Sequence, residues 1–305
     1  MKGGTAPLTA TPFTWASFTS GSVAIALLFN FASFIGFEAT TIYSEEARDP
    51  KRTVPRATYV AVLTIGVFYT LTTYLMVEGQ GAAGLQEYLG GLQPDPTAFR
   101  STYIGVALTT VMSLLFISSV FAALLAFHNA VAQYLYALGR EGLVPARLGR
   151  TNTKHLSPHT GSLSQSILAF VIVLIFVITG QDPVLALFTW LTQLGTLAII
   201  VLMALASFAV VAFFARHRDL DRNVARTTVA PIVGGVAMTA VAIYAASQFG
   251  LLIGNPESPL RWILPALIVV AAIAGIIAAF TLKSRSPELY TKMGRHRDME
   301  LTPGL

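Results

Sequence analysis

The sequence predicts an all-α polytopic membrane protein of about seven transmembrane helices. Three observations carry that reading. Charged residues make up 11% of the 305-residue chain, against about 25% in soluble domains, and the mean hydropathy is +0.65. Apolar runs near the ~20 residues needed to cross a hydrocarbon core recur along the chain. The few basic residues lie between those runs, where they act as topology signals rather than as a nucleic-acid surface.

The runs cover residues 22–44, 56–78, 103–127, 162–180, 184–213, 229–253 and 262–282. The third continues as a helical pattern to Leu138, too long for one perpendicular crossing at ~1.5 Å per residue, and reads as a tilted span with a cytoplasmic extension. Thr53 ahead of Pro55 reads as the start of the second helix. Residues 1–21 form an N-terminal segment, 22–282 the seven-helix domain and 283–305 a tail. Residues 1–19 have no basic cluster ahead of an apolar core and are not a secretory signal. With no cysteine, disulfides, thiolate metal sites and thiol nucleophiles are excluded.

Alternate connections divide the 20 Lys and Arg residues 17 to 3. One set holds the basic residues of 48–56, 140–154, 216–226 and 283–297; the other holds Lys2, Arg100 and Arg261. The richer set faces the cytoplasm. The N-terminus is therefore expected outside the cell and the C-terminus inside, in a multi-pass protein of the cell (inner) membrane. Seven spans with an external N-terminus fit either a seven-helix receptor or part of a longer protein. A light-driven version fails, because a retinal Schiff base needs a lysine within a span and all five lysines lie outside the spans. An intramembrane enzyme is disfavoured by the lack of a His pair at metal-ligand spacing and of an embedded serine elbow.

The first span is interrupted. A strongly apolar stretch, Val23 to Phe31, gives way to Ala32-Ser33-Phe34-Ile35-Gly36, followed by Glu38, Thr40 and Thr41. A broken membrane helix frees backbone groups that protein, water or solute must satisfy, so breaks occur where they line a cavity. The same small residues would also suit a tight helix contact. Glu38 tips the balance toward a solute path, since a carboxylate at this depth costs about 2.5 kcal/mol or more unless paired, hydrated or protonated.

The run Ser33-Phe34-Ile35-Gly36-Phe37-Glu38-Ala39, followed by Ser44-Glu45-Glu46-Ala47-Arg48-Asp49-Pro50-Lys51-Arg52-Thr53-Val54-Pro55-Arg56-Ala57, closely resembles the sixth helix and following loop of the amino acid, polyamine and organocation permeases. Gln133-Tyr134-Leu135-Tyr136-Ala137-Leu138-Gly139-Arg140-Glu141-Gly142-Leu143-Val144-Pro145 resembles that family's eighth helix and its loop, in the right order and distance. The resemblance implies a leucine-transporter-like fold, of which this chain holds the second five-helix repeat plus two extra helices, six to twelve in family order. Helices one to five would be absent, which accounts for the odd parity.

The resemblance further implies a secondary amino-acid transporter working by alternating access, with an amino acid or related amine as substrate, the lipid bilayer as solvent and no nucleic-acid partner. Phe31, Ala32, Ser33, Phe34, Ile35 and Gly36 would lie at the substrate, with Gly36 permitting the unwinding. The bulky aromatic that covers substrate in some members aligns with Ala32, so that lid is missing; Phe31 or Phe34 is the nearest substitute. Glu38 would act in gating or proton response and Trp190 in closing the outside path. Trp190 lies in a polar cluster with Thr189, Thr192, Gln193 and Thr196, and could equally be an interfacial anchor. Phe127, His128, Asn129 and Gln193 are candidate path-lining residues, although a structural hydrogen bond is the simpler role for His128. Glu45, Glu46, Arg48, Lys51 and Arg52 read either as a cytoplasmic gate network or as a solvated loop. No cofactor or metal is called for, and the residues do not choose between H⁺ and Na⁺ as coupling ion. Lacking the glycine-rich first helix that holds the substrate carboxylate in this family, the chain is expected not to transport alone; a nonfunctional product of a split gene is the alternative.

Overall fold

The computed structural model describes residues 8–38, 49–80, 105–152 and 157–292, and within them every regular element is helical. Expectations that fall on other residues, among them Lys2, residues 39–48 with Glu45, Glu46 and Arg48, Arg100, Lys154, Arg295 and Arg297, lie outside the described residues. The main helices are α1 (Trp15–Thr19), α2 (Val23–Phe34), α3 (Pro50–Gln80), α4 (Val106–Arg140), α5 (His159–Ile178), α6 (Thr189–Arg216), α7 (Ala230–Ser247), α8 (Phe249–Leu252), α9 (Leu260–Arg285) and α10 (Pro287–Lys292). Single π-helical turns, Pro183–Phe188 and Ala225–Val229, lead into α6 and α7. Among the described residues six helices are long and apolar enough to cross a membrane, and Val23–Phe34 is a seventh, shorter apolar helix. The protein is thus an all-α polytopic membrane protein, with its first expected span cut short.

Two boundaries differ from expectation. Thr53 is not the start of α3: Pro50 takes the first position, where its missing N–H costs nothing, and the Asp49 carbonyl accepts from Thr53 N–H at 2.9 Å. The sixth run is split at Gln248, which ends α7 before the short α8. The long third run stands as predicted, as one helix of 35 residues.

The chain forms two compact units. In the first, residues 1–21, 36–136 and 151–165, the N-terminal segment closes onto the far end of α3. Thr9 donates through its backbone N–H and its hydroxyl to the Glu78 carboxylate at 2.8 and 2.9 Å, and Tyr74 Oη donates to the Thr9 carbonyl at 2.9 Å. Helices α4 and α5 meet at Gly161, where a Cβ would lie 2.8 Å from the Ala132 carbonyl oxygen. Only a residue without a side chain allows that backbone approach.

The second unit contains residues 22–35, 137–150 and 166–305. Its core gathers Leu28 of α2, Leu197 and Ile200 of α6, Ala242 and Ala245 of α7, and Phe249 of α8. Close packing of α6 on α7 rests on Gly235, whose added Cβ would stand 3.0 Å from the Phe208 ring. The end of α4 is a glycine-based cap: Gly142 takes φ +76°, Leu143 N–H bonds the Leu138 carbonyl at 3.0 Å, and Gly142 N–H bonds that of Gly139 at 3.3 Å. The Cβ position of Gly142 is 3.5 Å from Leu282 near the end of α9. The C-terminal ends of α4 and α9 therefore share one side of this unit, as the alternation of basic connections requires.

Candidate functional site

Within the second unit, α6 turns one face toward α2 and α7. Gln193, Thr196, Leu197 and Ile200 repeat at helical spacing along it and are all buried. Leu28 and Ala24 of α2 are likewise buried, and Phe31 and Trp190 pack against the core around them. Thr196 satisfies its hydroxyl within its own helix, donating to the Thr192 carbonyl at 2.8 Å. Gln193 does not. Its side chain is 0% exposed, and both Nε2 and Oε1 are buried with no hydrogen-bond partner among the described residues. An amide so placed pays its desolvation of about 1–3 kcal/mol without return, and in native proteins such a group calls for a functional account.

Trp190 sits one turn before Gln193 and meets Phe176 edge to face, with ring centroids 6.2 Å apart. It is half-buried and packs against the core. Immediately before α6 the π-helical turn Pro183–Phe188 widens the backbone; such turns recur at functional sites.

Helix α2 stops at Phe34, where the small-residue patch predicted an interruption. Ile35 N–H closes the last turn on the Ala32 carbonyl at 3.2 Å, and Ser33 turns its hydroxyl onto Asn30, 2.7 Å away. Gly36 follows at φ +115°, a conformation that a side chain would strain. Ala32, Phe34 and Ile35 are half-buried and Ser33 is exposed.

In the first unit, Gly36 N–H donates to Glu38 Oε2 at 2.8 Å, so the carboxylate caps the backbone that the broken helix leaves behind. Glu38 is also close enough to Tyr134 of α4 for the two groups to interact electrostatically. His128 Nε2 and Ser162 Oγ are 2.8 Å apart, linking α4 to α5. Phe127 and Asn129 on either side of His128 are exposed.

The predicted site residues thus divide: Phe31, Ala32, Ser33, Phe34, Ile35, Trp190 and Gln193 belong to one unit, Gly36, Glu38, Phe127, His128 and Asn129 to the other. Sequence reasoning missed Ser162 and Tyr134 as partners. The Gly161-Ser162 pair of small residues was the available signal for the first; nothing local signalled the second.

A family model described as amino acid permease matches residues 1–293, nearly the whole chain and every predicted site residue. The chain belongs to the amino acid permease family. Among its curated relatives, the branched-chain amino acid permease BcaP of Lactococcus lactis is 32% identical over 142 residues, 47% of this chain and 30% of that protein. BcaP of Bacillus subtilis is 24% identical over 232 residues, 74% of this chain and 46% of the relative. The low-affinity putrescine importer PlaP of Escherichia coli K12 is 31% identical over 119 residues, 37% of this chain and 24% of PlaP. The chain spans between about a quarter and a half of the length of these permeases. No solved structure matches it.

Proposed function

We propose that this chain is the substrate-path half of a secondary transporter for amino acids or related amines, working by alternating access. The observation that carries the reading is the broken helix: α2 ends at Phe34 and turns at Gly36 with φ +115° inside a region that matches the permease family. Backbone groups released at such a break bind a zwitterion or ammonium through dipoles, without covalent chemistry. Phe31 to Gly36 form the substrate-binding stretch, Gln193 is the polar group of the path on α6, and Trp190 is the wall that closes it. Relatives named for branched-chain amino acids and for putrescine support a substrate bearing an amine.

The basic connections support an external N-terminus and a cytoplasmic C-terminus, with residues 1–21 outside, 22–282 as the membrane domain and 283–305 as the tail. The share of each relative that the chain spans supports the further reading that it corresponds to helices six to twelve of a leucine-transporter-like permease and transports only when polypeptide equivalent to the first five helices completes it. Coexpression with the N-terminal half of a related permease, in cells lacking their own uptake systems, tests both statements using labelled leucine and putrescine. Saturable uptake by the 305 residues alone would sink the incompleteness reading. Uptake of neither substrate by the completed protein would sink the transport reading. In the completed protein, Glu38→Gln flattens the pH profile of uptake; an unchanged profile would reduce Glu38 to a cap for Gly36.

A further inference from the structure

A second site stands apart from the α2–α6 path. Where α6 ends and the Ala225–Val229 turn leads into α7, the second unit contains a cavity of about 560 Å³. Its polar side is built by Arg218, Arg222 and Thr228, its apolar side by Val211, Phe214 and Val224. Because it joins the ends of two membrane-length apolar helices, Ala186–Arg216 and Ala225–Ser247, the cavity lies at the depth of lipid headgroups whichever way the chain is inserted.

The charges around it are unbalanced. The connection from Arg216 to Arg226 carries four arginines against Asp219 and Asp221. Arg218 and Arg222 are exposed, and no hydrogen bond or ion pair engages either guanidinium among the described residues. Asp221 also lines the cavity, but Asn223 N–H donates to its Oδ1 at 2.8 Å, which ties that carboxylate to the turn. Thr227 is spent as well, its hydroxyl donating to the Asn223 carbonyl at 3.0 Å. Two guanidinium groups and one carboxylate leave one net positive charge, matched by one phosphodiester. A guanidinium fork is suited to phosphate oxygens. A small soluble anion has no use for Val211, Phe214 and Val224, whereas a lipid lays its glycerol and first methylenes there.

We propose that this cavity is a binding site for the headgroup of an anionic phospholipid, held by Arg218 and Arg222 at the α6–α7 connection. Each of the two arginines beside the bound headgroup is expected to contribute about fivefold in affinity. The test is native mass spectrometry of the chain, purified from membranes in mild detergent and titrated with phosphatidylglycerol, phosphatidylethanolamine or phosphatidylcholine.

Phosphatidylglycerol is expected to bind in preference to both zwitterionic lipids. Arg218→Gln with Arg222→Gln is expected to weaken it about 25-fold, while the pair Arg218→Lys with Arg222→Lys, which keeps the charge and loses the guanidinium fork, is expected to weaken it to a smaller extent. Arg147→Gln with Arg150→Gln, which removes equal charge from another connection, is expected to leave binding within twofold, roughly the scatter of such titrations. Equal loss in that control would overturn the site in favour of general surface charge. Equal retention of the three lipids would overturn anionic selectivity. Displacement of phosphatidylglycerol by millimolar inorganic phosphate would assign the cavity to a soluble phosphate instead. Circular dichroism of each variant separates loss of the site from loss of the fold. The outcome is independent of whether the chain takes part in transport.

Discussion

Helices α3 and α7 both qualify as membrane spans by length and apolarity, yet they live in different surroundings. Helix α7 places Gly235, Ala242 and Ala245 in the buried interior of its unit. Not one of the described side chains of α3 is buried; Leu63, Val67 and Phe68 are each more than half exposed. The difference follows from side-chain size. Between two helices in lipid there is no hydrophobic drive, because hydrocarbon lies on either side of the choice, so association depends on how closely backbones approach. Helix α7 offers glycines and alanines to α6. Helix α3 carries large side chains such as Leu63, Val67 and Phe68 outward, and Tyr74 and Glu78 near its end bond the N-terminal segment.

That contrast can be broken most directly at the core. Phe249→Ala removes a fully buried ring and is expected to cost about 3 kcal/mol, read as a lower thermal unfolding midpoint in detergent. Phe68→Ala, which trims an exposed ring of α3, is expected to cost less than about 0.5 kcal/mol. Equal losses would erase the distinction between α3 and the core into which Ala242 and Ala245 of α7 pack. Next in size, Gly235→Leu forces a side chain against the Phe208 ring and is expected to cost about 2 kcal/mol by overpacking, whereas Gly234→Leu, with open space around its Cβ position, is expected to be nearly silent in the same assay.

A gain sharpens the comparison. Gln193→Leu removes two buried polar atoms that have no partner and is expected to raise stability by about 1–2 kcal/mol while abolishing uptake by the completed protein. A stabilised variant with unchanged uptake would leave Gln193 without a part in the path. A smaller loss is expected at the α4–α5 contact, where Ser162→Ala should cost about 0.6 kcal/mol, the usual worth of a hydrogen bond between membrane helices. A loss several times larger would make His128 more than a fastener.

The run from Ala32 to Gly36 is where sequence reading and structure coincide most closely. Ala32 and Ser33 after an apolar stretch, with Gly36 just beyond, mark a place where a helix can break. The structure stops α2 at Phe34 and turns Gly36 through positive φ. Thr53 is where the reading failed, because an earlier proline, Pro50, offered the same helix-start chemistry and the pattern could not rank the two. Gln193 was legible as a member of a polar cluster and a candidate path-lining residue, but not as a buried amide without a partner. Its neighbour Thr196 closes a hydrogen bond inside its own turn, a possibility that any threonine in a helix has, but whether a glutamine finds a partner depends on what the facing helices carry.

Apolar length, the confinement of basic residues to alternate connections and the position of the helix break were fixed by the sequence alone, because each depends on the chemistry of residues close together in the chain and on the bilayer as solvent. Which faces meet was decided only by tertiary structure. The pairing of His128 with Ser162 spans 34 residues, and the unsatisfied burial of Gln193 and the arginine-lined cavity before α7 likewise depend on helix register and crossing. No local pattern of residues specifies those distances, since a helix rotated by one residue keeps its composition and loses its contacts.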